Sequence, residues 1–197
     1  MPLRIARRRT VIVGITAGGA DLLPRVRDAL GAGIDRVLVR EAEVPAGIEA
    51  VARDWPGRVV LHARMPGAIA LATVLPLGLH YASTTSPADW RGVFSVSTHA
   101  PDEARRAMAA GAAWVFLSPV WAPGSKPDDT RRPLAEGPLG LAVLGVVPGC
   151  VALGGVTVER VAACRAAGAR GVAGIGGLFG APDVGAAVGA WRAAWGV

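Results

Sequence analysis

The chain contains three histidines, His62, His80 and His99, and each stands at or just past the end of a short apolar run. Neutral imidazoles near pH 7 suit proton transfer, so all three are candidate acid/base groups. One histidine in such a place is commonly a satisfied structural residue. Three along one edge point to chemistry for at least one of them. The one lysine, Lys126, follows Ser125 in a long segment from Pro119 to about Gly137. There it can neutralise a phosphate or diphosphate as a point charge, against the plainer alternative of a solvated loop charge. Two glycine pairs, Gly154-Gly155 and Gly176-Gly177, also close apolar runs. Glycines there let backbone N–H groups approach an anion, with a helix N-terminus behind them; the alternative is tight turns that only glycine fits. Thr16, Arg40-Glu41, Ser97 and Ser118 occupy the remaining run ends. Carboxylates are scarce in these places, with Glu41 the nearest and no adjacent pair. That argues against a protein-held metal and against paired-carboxylate glycoside chemistry.

The elements that must position these residues are short apolar runs alternating with Ala/Arg/Glu stretches of helical period. Strands are predicted at Thr10–Thr16, Arg36–Arg40, Arg58–His62, Leu77–His80, Val93–Ser97, Ala113–Ser118, Cys150–Leu153 and Gly171–Gly174. Their continuous rather than alternating hydrophobicity fits strands buried on both faces. Helices are predicted at Asp21–Gly31, Pro45–Asp54, Pro66–Thr73, Pro101–Ala110, Pro138–Val146, Thr157–Ala167 and Pro182–Trp195. Several open on proline and others close on glycine, as helix ends favour. Thr84–Asp89 is too short and polar to be assigned a helix. Eight βα units imply an α/β protein, a single (β/α)8 TIM barrel with chemistry at the C-terminal strand ends. A doubly wound sheet is the rival, but no glycine-rich fingerprint follows the first strand. A Gly-Ala pair recurs at Gly31-Ala32, Gly111-Ala112 and Gly168-Ala169, each where a helix gives way to a strand. We expect one domain over residues 1–197, with residues 1–9 as a basic arm.

Composition narrows the classes further. The 197 residues are 52% hydrophobic and 18% charged, with a mean hydropathy of +0.41. No apolar stretch reaches the roughly 18 residues of a spanning helix, so no membrane partner is expected. Two cysteines without metal-ligand spacing suggest a reducing cytoplasm. Net charge is +6, from twenty arginines and one lysine against 15 acids. The arginines are scattered and aromatics are only 5% of the chain, so solvated surface charge and coding bias explain them better than a nucleic-acid groove. The apolar Val11–Ile15 run after the basic start reads as a first strand rather than an exported leader.

At these residues the sequence resembles the thiamine-phosphate synthase/TenI family, from about Thr10 to Trp195. The resemblance is carried by Val39-Arg40-Glu41, Gly78-Leu79-His80, Ser97-Thr98-His99, Ser118-Pro119-Val120-Trp121, Gly124-Ser125-Lys126-Pro127, Pro138-Leu139-Gly140-Leu141, Ala152-Leu153-Gly154-Gly155-Val156 and Phe179-Gly180-Ala181-Pro182-Asp183. It implies the eight-unit barrel and a small heteroaromatic phosphate as ligand. It assigns diphosphate contact to Arg40 and Lys126, places Ser97 by a pyrimidine, and lets Gly154, Gly155, Gly176 and Gly177 cradle a thiazole phosphate. Synthases of this family join a pyrimidine diphosphate to a thiazole phosphate with magnesium. Their Gln-Leu-Arg-x-Lys is Leu38-Val39-Arg40-Glu41-Ala42 here, and their Asn-Asp-Arg is His62-Ala63-Arg64. A second metal aspartate falls near Thr85. With both carboxylates replaced, no cofactor is expected, magnesium entering only with a synthase-like activity. TenI-type relatives instead isomerise a thiazole carboxylate phosphate by proton transfer, so the activity implied first is tautomerase-like. Their catalytic histidine corresponds to Pro119, which leaves the role to His62, His80 or His99. The alternatives are a divergent synthase and a non-catalytic phosphate-ligand binder; a homo-oligomer is compatible with each.

Overall fold

The computed structural model describes residues 11–83, 90–122 and 141–197. Eight strands, β1 (Ile12–Ile15), β2 (Arg36–Val39), β3 (Val59–His62), β4 (Gly78–Tyr81), β5 (Phe94–Thr98), β6 (Trp114–Leu117), β7 (Cys150–Ala152) and β8 (Gly171–Gly174), pair in sequence order. All neighbours are parallel, and β8 pairs with β1 to close the barrel. The expected (β/α)8 architecture is therefore the one the chain adopts. Between the strands lie α1 (Leu22–Gly31), α2 (Ile48–Asp54), α3 (Ala68–Val74), α4 (Pro101–Ala109) and α5 (Val158–Ala166), and α6 (Val184–Trp195) follows β8. The helix expected over Pro138–Val146 begins outside the described residues, and Thr84–Asp89 lies outside them altogether.

Strand side chains alternate between two separate cores, which is why the runs are apolar throughout. Val13, Ile15, Leu38, Val60, Trp114, Phe116, Val151 and Ala173 fill the barrel interior. Their neighbours in sequence, among them Ile12, Val37, Leu61, Leu79, Val115, Cys150 and Val172, face the helices and form the larger outer core. No helix among the described residues is long and apolar enough to cross a membrane.

Two local expectations are corrected. Pro45 and Pro66 lie outside their helices: Gly47 and Gly67 precede α2 and α3 in the left-handed region, at φ of 88° and 78°. Tight turns, with Ile48 N–H donating to Pro45 O and Ala68 N–H to Met65 O, start those helices instead. After α1 the left-handed residue is Gly33 rather than Gly31, whereas Gly111 and Gly168 take it after α4 and α5. Pro101 opens α4 at its first turn as read from the sequence.

Candidate functional site

Register brings His62, His80 and Ser95 side by side, since His62 pairs with His80 and His80 with Ser95. All three lie on the interior side of their strands, His62 and His80 near the C-terminal ends of β3 and β4 and Ser95 near the start of β5. His80 is 2% exposed. Its Nδ1 lies 2.8 Å from Ser95 Oγ and its Nε2 2.9 Å from Ser97 Oγ. Its ring packs against Phe116, with centroids 5.0 Å apart, and meets His62 edge-on at 5.5 Å. Burial, the neighbouring His62 and the Arg40 charge push its pKa down to about 3. His80 is thus a neutral imidazole whose two nitrogens fix two serine hydroxyls, one as donor and one as acceptor.

His62 is 9% exposed, and its Nδ1 accepts from the Arg64 N–H at 3.2 Å. That bond places the neutral ring's proton on Nε2. Burial and the charges of Arg64 and Arg40 lower its pKa, and protonating Nδ1 would also break the Arg64 bond. Arg40 itself is exposed at the end of β2, with its N–H donating to Thr16 Oγ1 at 3.0 Å. Thr16 Oγ1 donates in turn to Glu41 Oε1, which also accepts from Gly18 N–H. These bonds tie the end of β1 to the end of β2 through the Glu41 carboxylate.

His99 occupies a different place, between β5 and β6. Its Nδ1 lies 2.7 Å from Ser118 O. A carbonyl only accepts, so Nδ1 carries a proton and donates it to Ser118 O. Its own N–H donates to Glu103 Oε2 at 2.8 Å, which seats the turn into α4.

The β7 glycine turn packs directly on the chain leaving β6. Val120 N–H donates to Leu153 O and Trp121 N–H to Gly154 O. Gly154 has φ of +89°, and a Cβ there would sit 2.7 Å from Pro119 Cα. Glycine is therefore required at 154 by packing whether or not an anion binds. The β8 turn differs: a Cβ at Gly176 would meet nothing within 4 Å. No carbonyl among the described residues accepts from the Gly176 or Gly177 N–H, leaving two donors at an exposed turn. Ser125 and Lys126 lie outside the described residues, as do Thr85 and most of the long loop after β6.

The structure thus gathers Arg40, His62, His80 and Ser97 at one side of the rim. It sets His99 beside Ser118, and carries Gly154-Gly155 and Gly176-Gly177 on the last two strand ends. Among the described residues no group of three or more His, Cys, Asp or Glu side chains is arranged to hold a metal ion. Magnesium of the synthase kind does not fit the donors that are described: Ala63 follows His62, and Glu41 is already engaged. Ser95 and Phe116 were missed as partners of His80, although two-residue spacing from Ser97 and Ser118 could have found them. Arg25 and Arg160, described below, left no local signal.

A family model described as thiamine monophosphate synthase matches residues 84–178. The thiamine-phosphate synthase of Moorella thermoacetica is 32% identical over 197 residues, covering 90% of this chain and 90% of that protein. The one from Methanoculleus marisnigri is 36% identical, covering 87% of this chain and 80% of its own length. Among solved structures, thiamine phosphate pyrophosphorylase from Pyrococcus furiosus superposes with a TM-score of 0.75 at 21% identity, covering 96% of each chain. A 3-hexulose-6-phosphate synthase does so at 0.70 and 18%, over 94% of this chain and 99% of its own, a likeness of fold. With about a third of its residues shared across nine-tenths of both chains, the chain belongs to the thiamine-phosphate synthase family.

Proposed function

We propose that this protein acts in thiamine biosynthesis on a phosphorylated thiazole, as an acid/base tautomerase of the TenI kind, with His99 as its base. The observation that carries this reading is the 2.7 Å bond from His99 Nδ1–H to Ser118 O. Pro119, the next residue, stands where TenI-type relatives have their catalytic histidine, so an imidazole returns to that strand end from the neighbouring strand. His99 Nε2 takes a proton from a ring carbon of the bound thiazole. A proton is then returned at the other end of the conjugated system, so composition is unchanged and no metal is needed. His80 is excluded from proton transfer by burial and by its two serine bonds. His62 presents Nε2–H and serves better as a hydrogen-bond donor to the ligand. Arg40 and, through the resemblance, Lys126 supply cationic charge, and the glycine turns after β7 and β8 receive the phosphate.

A second reading, magnesium-dependent synthesis of thiamine phosphate, is favoured by the relatives at 32% and 36% identity. One experiment separates the two. The purified protein is given a thiazole carboxylate phosphate in D2O without metal, and in parallel the pyrimidine diphosphate and thiazole phosphate with magnesium. NMR follows deuterium incorporation and product. Metal-independent exchange that falls about 100-fold in His99→Gln supports the tautomerase. Thiamine phosphate formed only with magnesium, with no exchange, overturns it.

A further inference from the structure

Two arginines sit where a helix least favours a cation. Arg25 lies in the first turn of α1 and Arg160 is the third residue of α5. The positive end of the helix dipole opposes both, so other contacts must hold them there. Each guanidinium grips the backbone of one glycine turn. Arg25 Nη2 donates to Phe179 O at 2.7 Å and to Ala181 O at 2.5 Å, while Nη1 reaches Pro182 O at 3.4 Å. These carbonyls belong to the turn that runs from Gly176 to the Asp183 cap of α6. Arg160 Nη1 donates to Gly155 O at 2.6 Å, and its guanidinium lies 4.8 Å from the centroid of the Trp121 ring.

We infer that Arg25 and Arg160 are positioning residues for the phosphate cradle, each fixing one glycine turn from behind. In a trans peptide unit the C=O and the following N–H point in opposite directions. Gripping Gly155 O therefore aims the Val156 N–H away from Arg160. Val156 N–H donates to no backbone carbonyl among the described residues. Arg25 acts further along its turn. Gly180 N–H and Leu178 N–H both close back onto Ile175 O, so holding Phe179 and Ala181 keeps that closed turn in place. The turn then presents Gly176 and Gly177 N–H outward. Arg25 also ties the first βα unit to the last, 154 residues away in sequence to Phe179. Arg25 uses both arms of its planar guanidinium, and Arg160 uses one arm with its guanidinium over the Trp121 ring, a planar geometry that a lysine lacks.

This inference rests on the phosphate reading above, and the test keeps the two apart. Calorimetry measures binding of a thiazole phosphate and of the corresponding thiazole alcohol to the wild type, Arg25→Lys, Arg25→Ala, Arg160→Lys and Arg160→Ala. The lysine variants keep the charge and lose the planar guanidinium, and they remain informative where an alanine variant fails to fold. We expect the phosphate to bind roughly tenfold more weakly to each lysine variant, with binding of the alcohol unchanged. A wild type that binds the alcohol as tightly as the phosphate overturns the phosphate reading itself. A wild type that prefers the phosphate, with lysine variants of wild-type affinity, overturns the positioning role alone. Equal loss for phosphate and alcohol overturns it as well, by showing general damage to the barrel.

Discussion

Lowering the pH from 7 to 4.5 is expected to destabilise the protein through His80, and replacing that one residue removes this part of the loss. Facing His80 are His62 from β3, Arg40 from the end of β2, Ser95 and Ser97 from β5, and Phe116 from β6. None offers a negative charge, so a protonated ring there has no compensation. In the unfolded chain His80 titrates near 6.5, whereas burial holds it near 3 in the fold. A depressed folded pKa means the stabilisation is complete above pH 6.5 and is lost as the pH falls towards 3. Over the two pH units from 6.5 to 4.5, at about 1.4 kcal/mol per unit, the loss from this residue is about 3 kcal/mol. Urea unfolding of the wild type and His80→Gln at pH 7 and at pH 4.5 reads it directly. Carboxylates and His62 contribute to both proteins alike, so they cancel in the comparison. His80→Gln starts lower at pH 7, having lost one serine bond at a cost of about 1 kcal/mol, but falls less on acidification. Equal losses in the two proteins would refute the reasoning and show that His80 accepts a proton in the fold.

Gly154→Ala places a Cβ 2.7 Å from Pro119 Cα on a residue at φ of +89°, so we expect a loss of about 3 kcal/mol in denaturant unfolding. A loss below about 0.5 kcal/mol would show that the β6 and β7 turns are not packed as described. Cys150 and Cys164 are buried thiols with pKa values pushed up to about 12. In the folded protein neither is expected to react with iodoacetamide at pH 8, and labelling followed by mass spectrometry should rise only when urea unfolds the chain.

Much of the barrel could be read before its structure because the strands and helices announce themselves locally. Gly171–Gly174 has the bounds expected, and the other strands differ by a residue or two at their ends. The histidine edge was legible for the same reason. In parallel strands of matched register, residues at equivalent ends come together, and His62 pairs with His80 as their places in the runs imply. What could not be read was the chemistry of each imidazole. His62, His80 and His99 look alike as letters, yet a backbone N–H, two serine hydroxyls and a carbonyl give them three different proton arrangements. Those partners come from turns and from adjacent strands, so the residues around each histidine do not name them, although two-residue spacing from Ser97 points to Ser95. The prolines before α2 and α3 misled for a related reason. Proline tolerates the first turn of a helix but does not demand it, and a left-handed glycine one or two residues later sets the start.

The arginine excess takes on a structural meaning that composition alone withheld. Among the described residues two ion pairs are formed by arginine, Arg27 with Asp54 and Arg105 with Asp102. Both are exposed, and such pairs contribute little. Backbone carbonyls are the more frequent partners. Arg58 donates to Leu30 O and Ile34 O, Arg192 to Gly33 O, Arg165 to Trp195 O and Arg170 to Ala113 O. These carbonyls lie where helices end and strands begin, at the face opposite the histidines. Helix C-termini leave carbonyls unsatisfied and carry the negative end of the dipole, so cations there are doubly favoured. Arg58 meets two of those carbonyls at once through the two hydrogens of its Nη2. Arg25 and Arg160 break the pattern by standing at helix N-termini on the other face, against the dipole. That inversion, rather than any excess of positive charge, is what connects them to the rim that carries the glycine turns.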